Sequence, residues 1–336
     1  MRSRRLTHES PLRRLVLAAL LLWSGPAVLS AQTAAPPGPG PLPPLTQVEI
    51  DNAESTSRPD GVQTPEANPS RPTISNPAHI PPVGYLQFEQ GFLQANGSPA
   101  VSGQFSLVQA VRLSLHPRLM VQFQSQPLAV TRSTASSDGP ATSATDTGDL
   151  VAGVQGVLVK EARRRPTVAL GYLRRVRGGS APDLDIGGFS QSAVVLASGD
   201  LGDFHYDANF NVSEQGDTVR RAQFGQALAV THDAFPRQLH DKLEISGEIW
   251  SFTQPLVDTT RNGAASPRSN AVGVLWALGY TVRPNLVLDA GFDHGCTSTS
   301  TAWQGFAGFT YLLPQRLWGR TETGYPAGPH KHVHRR

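Results

Sequence analysis

The 336-residue chain carries 29 basic and 26 acidic residues, a formal net charge of +3, and one cysteine, Cys296. One cysteine makes no internal disulfide, so a disulfide-stapled or zinc-finger fold is excluded. Residues 1–31 hold five Arg and one Glu, which leaves 24 basic and 25 acidic residues beyond them, net −1; nucleic acid is therefore not expected as a partner, since that reading loses its main support and would require a basic patch on the folded domain.

The N-terminus has the order of a secretory signal. Arg2, Arg4, Arg5, Arg13 and Arg14 form a basic region, and residues 15–23 form an apolar one. Gly25-Pro26 breaks the run, and Val28-Leu29-Ser30-Ala31 offers small residues for cleavage near Ala31. The run is too short for a membrane-spanning helix, which needs about 20 residues. Residues 32–82 hold nearly half of the 28 prolines. Proline cannot donate to a strand ladder, so this stretch is expected to be an extended, disordered periplasmic linker.

From Val83 onward the sequence predicts about twelve strands. They lie near 83–95, 103–116, 119–130, 148–161, 167–177, 188–198, 203–213, 220–232, 239–252, 268–282, 286–295 and 301–312. The clearest runs from Phe204 to Ser213, where Phe204, Tyr206, Ala208, Phe210 and Val212 alternate with His205, Asp207, Asn209 and Asn211. Such a strand has one apolar and one wet face. In the same way Phe105, Leu107, Val111, Leu113 and Leu115 oppose Gln104, Ser106, Arg112, Ser114 and His116. Leu243, Ile245, Gly247 and Ile249 oppose Glu244, Ser246 and Glu248. Leu286, Leu288, Ala290 and Phe292 oppose Asp289 and Asp293.

Short and long connections alternate. Residues 116–118, 163–166, 199–202 and 283–285 read as tight turns, with 233–238 slightly longer. Residues 131–147, 178–187 and 253–267 read as polar loops. This is the asymmetry of an outer-membrane barrel, with short periplasmic turns and longer extracellular loops. No stretch after the signal is long enough for an apolar helix, so a spanning fold must be a closed barrel. Aromatics near strand ends (Tyr85, Tyr172, Phe204, Trp250, Phe252, Trp276, Tyr280, Trp303 and Tyr311) suit interfacial girdles, although Trp250 and Phe252 fall on the polar face.

Residues 71–92, with Arg71-Pro72-Thr73-Ile74-Ser75-Asn76-Pro77 and Val83-Gly84-Tyr85-Leu86-Gln87-Phe88-Glu89-Gln90-Gly91-Phe92, and the stretches 288–295 and 306–311 resemble the MetA-pathway of phenol degradation family of outer-membrane proteins. The likeness covers roughly 71–313. It implies an outer-membrane β-barrel channel or transporter for small, often aromatic, compounds, with no catalytic residues to carry over.

On this reading the fold is all-β, an up-and-down transmembrane antiparallel barrel over 83–313. A basic, His-rich tail follows at 314–336, disordered on the simplest reading although His330, His332 and His334 could bind a metal. The candidate residues lining the lumen are Arg112, Arg175, His205, Asp207, Asn209, Asn211, Glu244, Glu248, Asp289 and Asp293, because charges on the polar face of a pore select its solutes. The expected partners are the lipid bilayer, the barrel-assembly machinery and small-molecule solutes, without a cofactor. The alternatives are an outer-membrane hydrolase, whose polar-face histidines His205 and His116 lack a nearby nucleophile motif, and a structural or adhesive barrel.

Overall fold

The computed structural model describes residues 65–71, 73–133, 142–162, 165–182, 184–185, 188–215, 221–233, 242–257 and 265–318. The signal-like segment, most of the Pro-rich stretch and the His-rich tail from 319 lie outside the described residues. The strands are β1 (Leu86–Asn96), β2 (Gly103–His116), β3 (Leu119–Ser133), β4 (Thr142–Asp146), β5 (Leu150–Val159), β6 (Thr167–Arg177), β7 (Gln191–Leu201), β8 (Phe204–Gln215), β9 (Arg221–Asp233), β10 (Leu243–Val257), β11 (Ala265–Arg283), β12 (Leu286–Gly295) and β13 (Trp303–Leu312).

Apart from β4, which pairs only with β3, each strand pairs antiparallel with the wall strands before and after it (β3 with β5), and β1 pairs with both β2 and β13, so the sheet closes on itself. Closure leaves no sheet edge with unpaired backbone groups. The barrel has twelve strands. The short β4 is an addition within the 131–147 loop, folded back on β3 from Ala129↔Asp146 to Ser133↔Thr142. The 253–267 loop is likewise shorter than its polar composition suggests, because β10 and β11 keep pairing through Thr253↔Asn270 and on to Val257↔Ala265. No helix occurs among the described residues, so none is long and apolar enough to cross a membrane.

The ends of the barrel differ. The turns β2–β3, β7–β8 and β11–β12 have two residues each, and they lie at the end where β1 begins. In the β7–β8 turn Gly202 takes φ +66, a conformation that costs a residue without Cβ nothing. The other end carries the longer connections, including 178–190 and the β4 hairpin. These are termed the turn end and the loop end below.

Burial inverts the usual rule for a water-soluble fold. Phe92, Phe123, Val195, Phe210, Leu228, Ile249, Trp276, Leu278 and Phe292 point outward and are exposed. Gln87, Glu89, Gln104, Ser106, Arg112, Ser198, Gln223, Glu248, Asp289, Asp293 and Thr310 point inward and are buried. The side-chain period of two carries each strand's apolar set to the outside. Trp250 and Phe252 depart from the girdle expectation. They point inward and pack with Ala227, Ala271 and Ile74 in a small apolar cluster. Room for them comes from missing side chains: a Cβ on Gly273 would lie 2.3 Å from the Trp250 ring. Glycines inside strands thus admit the aromatic rings of their neighbours.

Candidate functional site

The interior of the barrel is occupied by the chain that precedes it. Residues 65–82, expected as part of a disordered linker, are described here except for residue 72, and they hydrogen-bond to the inward face of the wall. The reason is chemical. Outside a ladder the backbone N–H groups of this segment need acceptors, and the inward face is rich in carboxylates and amides.

The segment starts at the turn end, where the Ala67 amide donates to Pro284 O at 2.8 Å. The Asn68 amide donates to Gln87 Oε1 at 2.8 Å. Ser70 Oγ donates to Glu89 Oε2 at 2.6 Å. Arg71 Nε lies 3.2 Å from Asp289 Oδ1. The amides of Ile74 and Ser75 both donate to the Glu248 carboxylate, at 2.7 and 2.6 Å. The chain then descends. Asn76 exchanges bonds with Asn209, its amide reaching Oδ1 and its carbonyl accepting from Nδ2, both at 2.8 Å. The Ala78 amide donates to Ser198 Oγ, and Gln155 Nε2 donates to the carbonyls of Pro77 and Ala78. His79 returns to the turn end beside Glu161 and Thr167. The segment is therefore an arch, anchored on at least seven strands, across the turn-end half of the barrel.

The ten candidate residues have distinct surroundings. Arg112 is buried, with Nε 3.5 Å from Glu89 and Nη2 donating to Asn76 Oδ1 at 2.9 Å. Asp289, Glu248 and Asn209 hold the arch as described. His205 bonds Asp200 through Nδ1 at 2.7 Å and lies 3.5 Å from Asp207 through Nε2, and Ser198 donates to that same Asp207 oxygen. Asn211 donates to Ser213 Oγ at 3.4 Å. Glu244 sits half-buried near the start of β10, in register with Asp233. Arg175 stands apart, at the loop end, 3.3 Å from Asp149. Asp293 belongs to a second cluster.

That cluster narrows the loop end. Trp250 Nε1 donates to Asp293 Oδ1 at 2.9 Å. Gln304 Nε2 donates to Asp293 Oδ2 at 3.3 Å and also to Asp185 Oδ2. Asp185 comes from the 178–190 loop and accepts in addition from the Thr301 amide. Burial pushes its carboxyl above the usual carboxylate range, against the hydrogen bonds from Thr301 and Gln304. The interior is thus crossed twice, by the arch below and by Asp185 above.

Glu89, Gln87, Ser198 and Gln304 are absent from the sequence-based candidates. Parity could have found the first pair, because Gln87 and Glu89 alternate with Leu86 and Phe88. No periodic signal marks Arg71 or Asp185, which lie outside strands. Among the described residues no group of three His, Cys, Asp or Glu is placed to hold a metal ion.

The barrel is similar to solved outer-membrane structures. One is an outer membrane channel from Pseudomonas putida F1, with TM-score 0.51, 14% identity, and coverage of 70% of this chain and 98% of that one. Another is the NanC porin, with TM-score 0.44, 12% identity, and coverage of 68% and 100%. No protein-family model matches the chain. No curated protein matches it either. The likeness thus rests on the fold alone; the closed twelve-stranded antiparallel barrel is established by this chain's own strand pairing.

Proposed function

We propose that this chain is an outer-membrane channel passing small solutes through an interior narrowed by residues 65–82 and by Asp185. The observation that carries the reading is the inverted wall. Aromatic and aliphatic side chains cover the outside, while Gln, Ser, Arg and carboxylates line the inside. In water such an outer surface is an aggregation liability far larger than a monomer tolerates. In a bilayer it is the solvent-matched face, and the closed ladder pairs the wall strands on both sides.

The export signal, the insertion by barrel-assembly machinery and the passage of small, aromatic or hydrophobic molecules belong to this proposal. The lumen residues that would meet a solute are His205, Asp207, Asn211, Glu244 and Arg175, together with the arch itself. A hydrolase is disfavoured by the geometry around His205. Both ring nitrogens face carboxylates, Asp200 and Asp207, and Ser198 donates to Asp207 instead of to the ring. A serine nucleophile needs a histidine nitrogen free to take its proton.

The test combines fractionation with flux. The protein should pellet with outer membranes and shift its migration on heating in SDS. Proteoliposomes containing it should swell in small sugars and in aromatic carboxylates or amines, at a rate that falls with solute size. Recovery in the soluble periplasm, or vesicles as tight as empty ones for every solute, would reject the channel.

A further inference from the structure

Arg71 does more than pair with Asp289. Its guanidinium rests where two wall residues have no side chain. A Cβ on Gly91 would lie 2.1 Å from it, and a Cβ on Gly308 would lie 3.0 Å from its Nε. Gly91 and Gly308 face each other across the β1–β13 ladder. The ring of Phe306, also inward, has the Arg71 guanidinium 5.8 Å from its centroid, within the range of a cation–π contact. Asp289 closes the seat. Its side chain is almost wholly buried, and Oδ2 has no hydrogen-bond partner among the described residues. A carboxylate oxygen left unpaired in a buried site is costly, so the seat can take one more donor than Arg71 supplies. Glu89 and Glu248, both buried, accept the arch's Ser70, Ile74 and Ser75 on either side of Arg71 in the chain.

From this we infer that the Gly91–Gly308–Phe306–Asp289 seat is a binding station for small planar organic cations, guanidinium and amidinium compounds, which Arg71 of the N-terminal arch occupies in cis. The four parts match that class. The two glycines open a flat slot, the aromatic face stacks on a delocalised cation, and the carboxylate offers the geometry of a two-point bond. Ammonium ions would fill it less well, because a compact, strongly hydrated charge neither stacks nor forks. The inference rests on the channel reading for its consequence, that such cations are the preferred cargo once the arch withdraws. The seat itself stands on the side chains alone.

The experiment is chemical rescue of the full-length Arg71→Ala protein, with Arg71→Ser as a second vacancy should the first not assemble. Thermal unfolding of the detergent-solubilised barrel is followed with millimolar methylguanidinium, with urea as the uncharged analogue and potassium as the plain cation. Methylguanidinium should raise the unfolding temperature of the vacated variant by about 2–4 °C. It should leave wild type, whose seat is filled, unmoved, and urea and potassium should do nothing. Adding Asp289→Asn to the vacancy should abolish the rescue. The same variants in planar bilayers separate the two readings. Methylguanidinium should block the Arg71→Ala current at concentrations at least about tenfold below those needed when Asp289→Asn is also present, as for the loss of one charged partner. Rescue without any current would keep the seat and reject the channel. Current with neither rescue nor block would keep the channel and overturn the seat, as would equal rescue by urea.

Discussion

The wall of this barrel and the chain that fills it obey different rules. The wall repeats. Its strands turn most of their apolar residues outward with a period of two, Trp250, Phe252 and Phe306 being inward exceptions, and no single pair decides the outcome. The filling does not repeat. Residues 65–82 hold their place through separate bonds to Gln87, Glu89, Asp289, Glu248, Asn209 and Ser198. The difference teaches that the wall is set by its surroundings and the filling by its partners. The wall should therefore fail all at once, and the filling should loosen bond by bond.

The most severe break is in the wall. Ala208 lies on the outward face of β8, opposite Ala197 and Leu228. An arginine there costs about 2–4 kcal/mol at a bilayer midplane. Ala208→Arg should leave no heat-modifiable barrel in outer-membrane fractions, whereas the inward Asn211→Asp should assemble at wild-type levels. Equal assembly of both would mean that the outer face does not meet lipid.

Removing the filling comes next. A chain lacking residues 65–82 should assemble, because no wall strand is touched, and should swell liposomes several times faster than wild type. A smaller effect is expected of Glu248→Gln. It removes the charge that accepts two arch amides and weakens bonds worth about 1.5–3 kcal/mol where one partner is ionised. Hydrogen exchange at Ile74 and Ser75 should quicken while the β10 amides stay protected.

The mildest test concerns Asp185. Its raised pKa means that the docked loop binds a proton the undocked loop releases. Docking is then fully favoured below the ordinary value of 3.8 and weakens as pH rises above it toward the raised value. Conductance should increase over that window, and Asp185→Asn should flatten the increase. A conductance that falls with rising pH would contradict the placement of this carboxyl.

These two rules also explain what could be read from sequence. The twelve wall strands were legible within a few residues, because alternation such as Phe204 to Ser213 is local, whereas β4 formed inside the stretch 131–147 that reads as a loop. Trp250 and Phe252 misled the girdle argument, since their pockets are made by Gly273 and Gly225 on neighbouring strands. The arch was illegible. Its prolines, among them Pro69, Pro77, Pro81 and Pro82, mark only what it cannot be, and its partners lie up to 218 residues away, as for Arg71 and Asp289. Within the candidate site, the segment that bonds Arg112, Asn209, Glu248 and Asp289 left no periodic signal to read.

Single-channel conductance in planar bilayers, compared between the full chain and the chain lacking residues 65–82, tests the central claim most directly. The account predicts small, fluctuating openings for the full chain and a larger, steady conductance once the arch is gone. Equal conductance in both, or none in either, would contradict it.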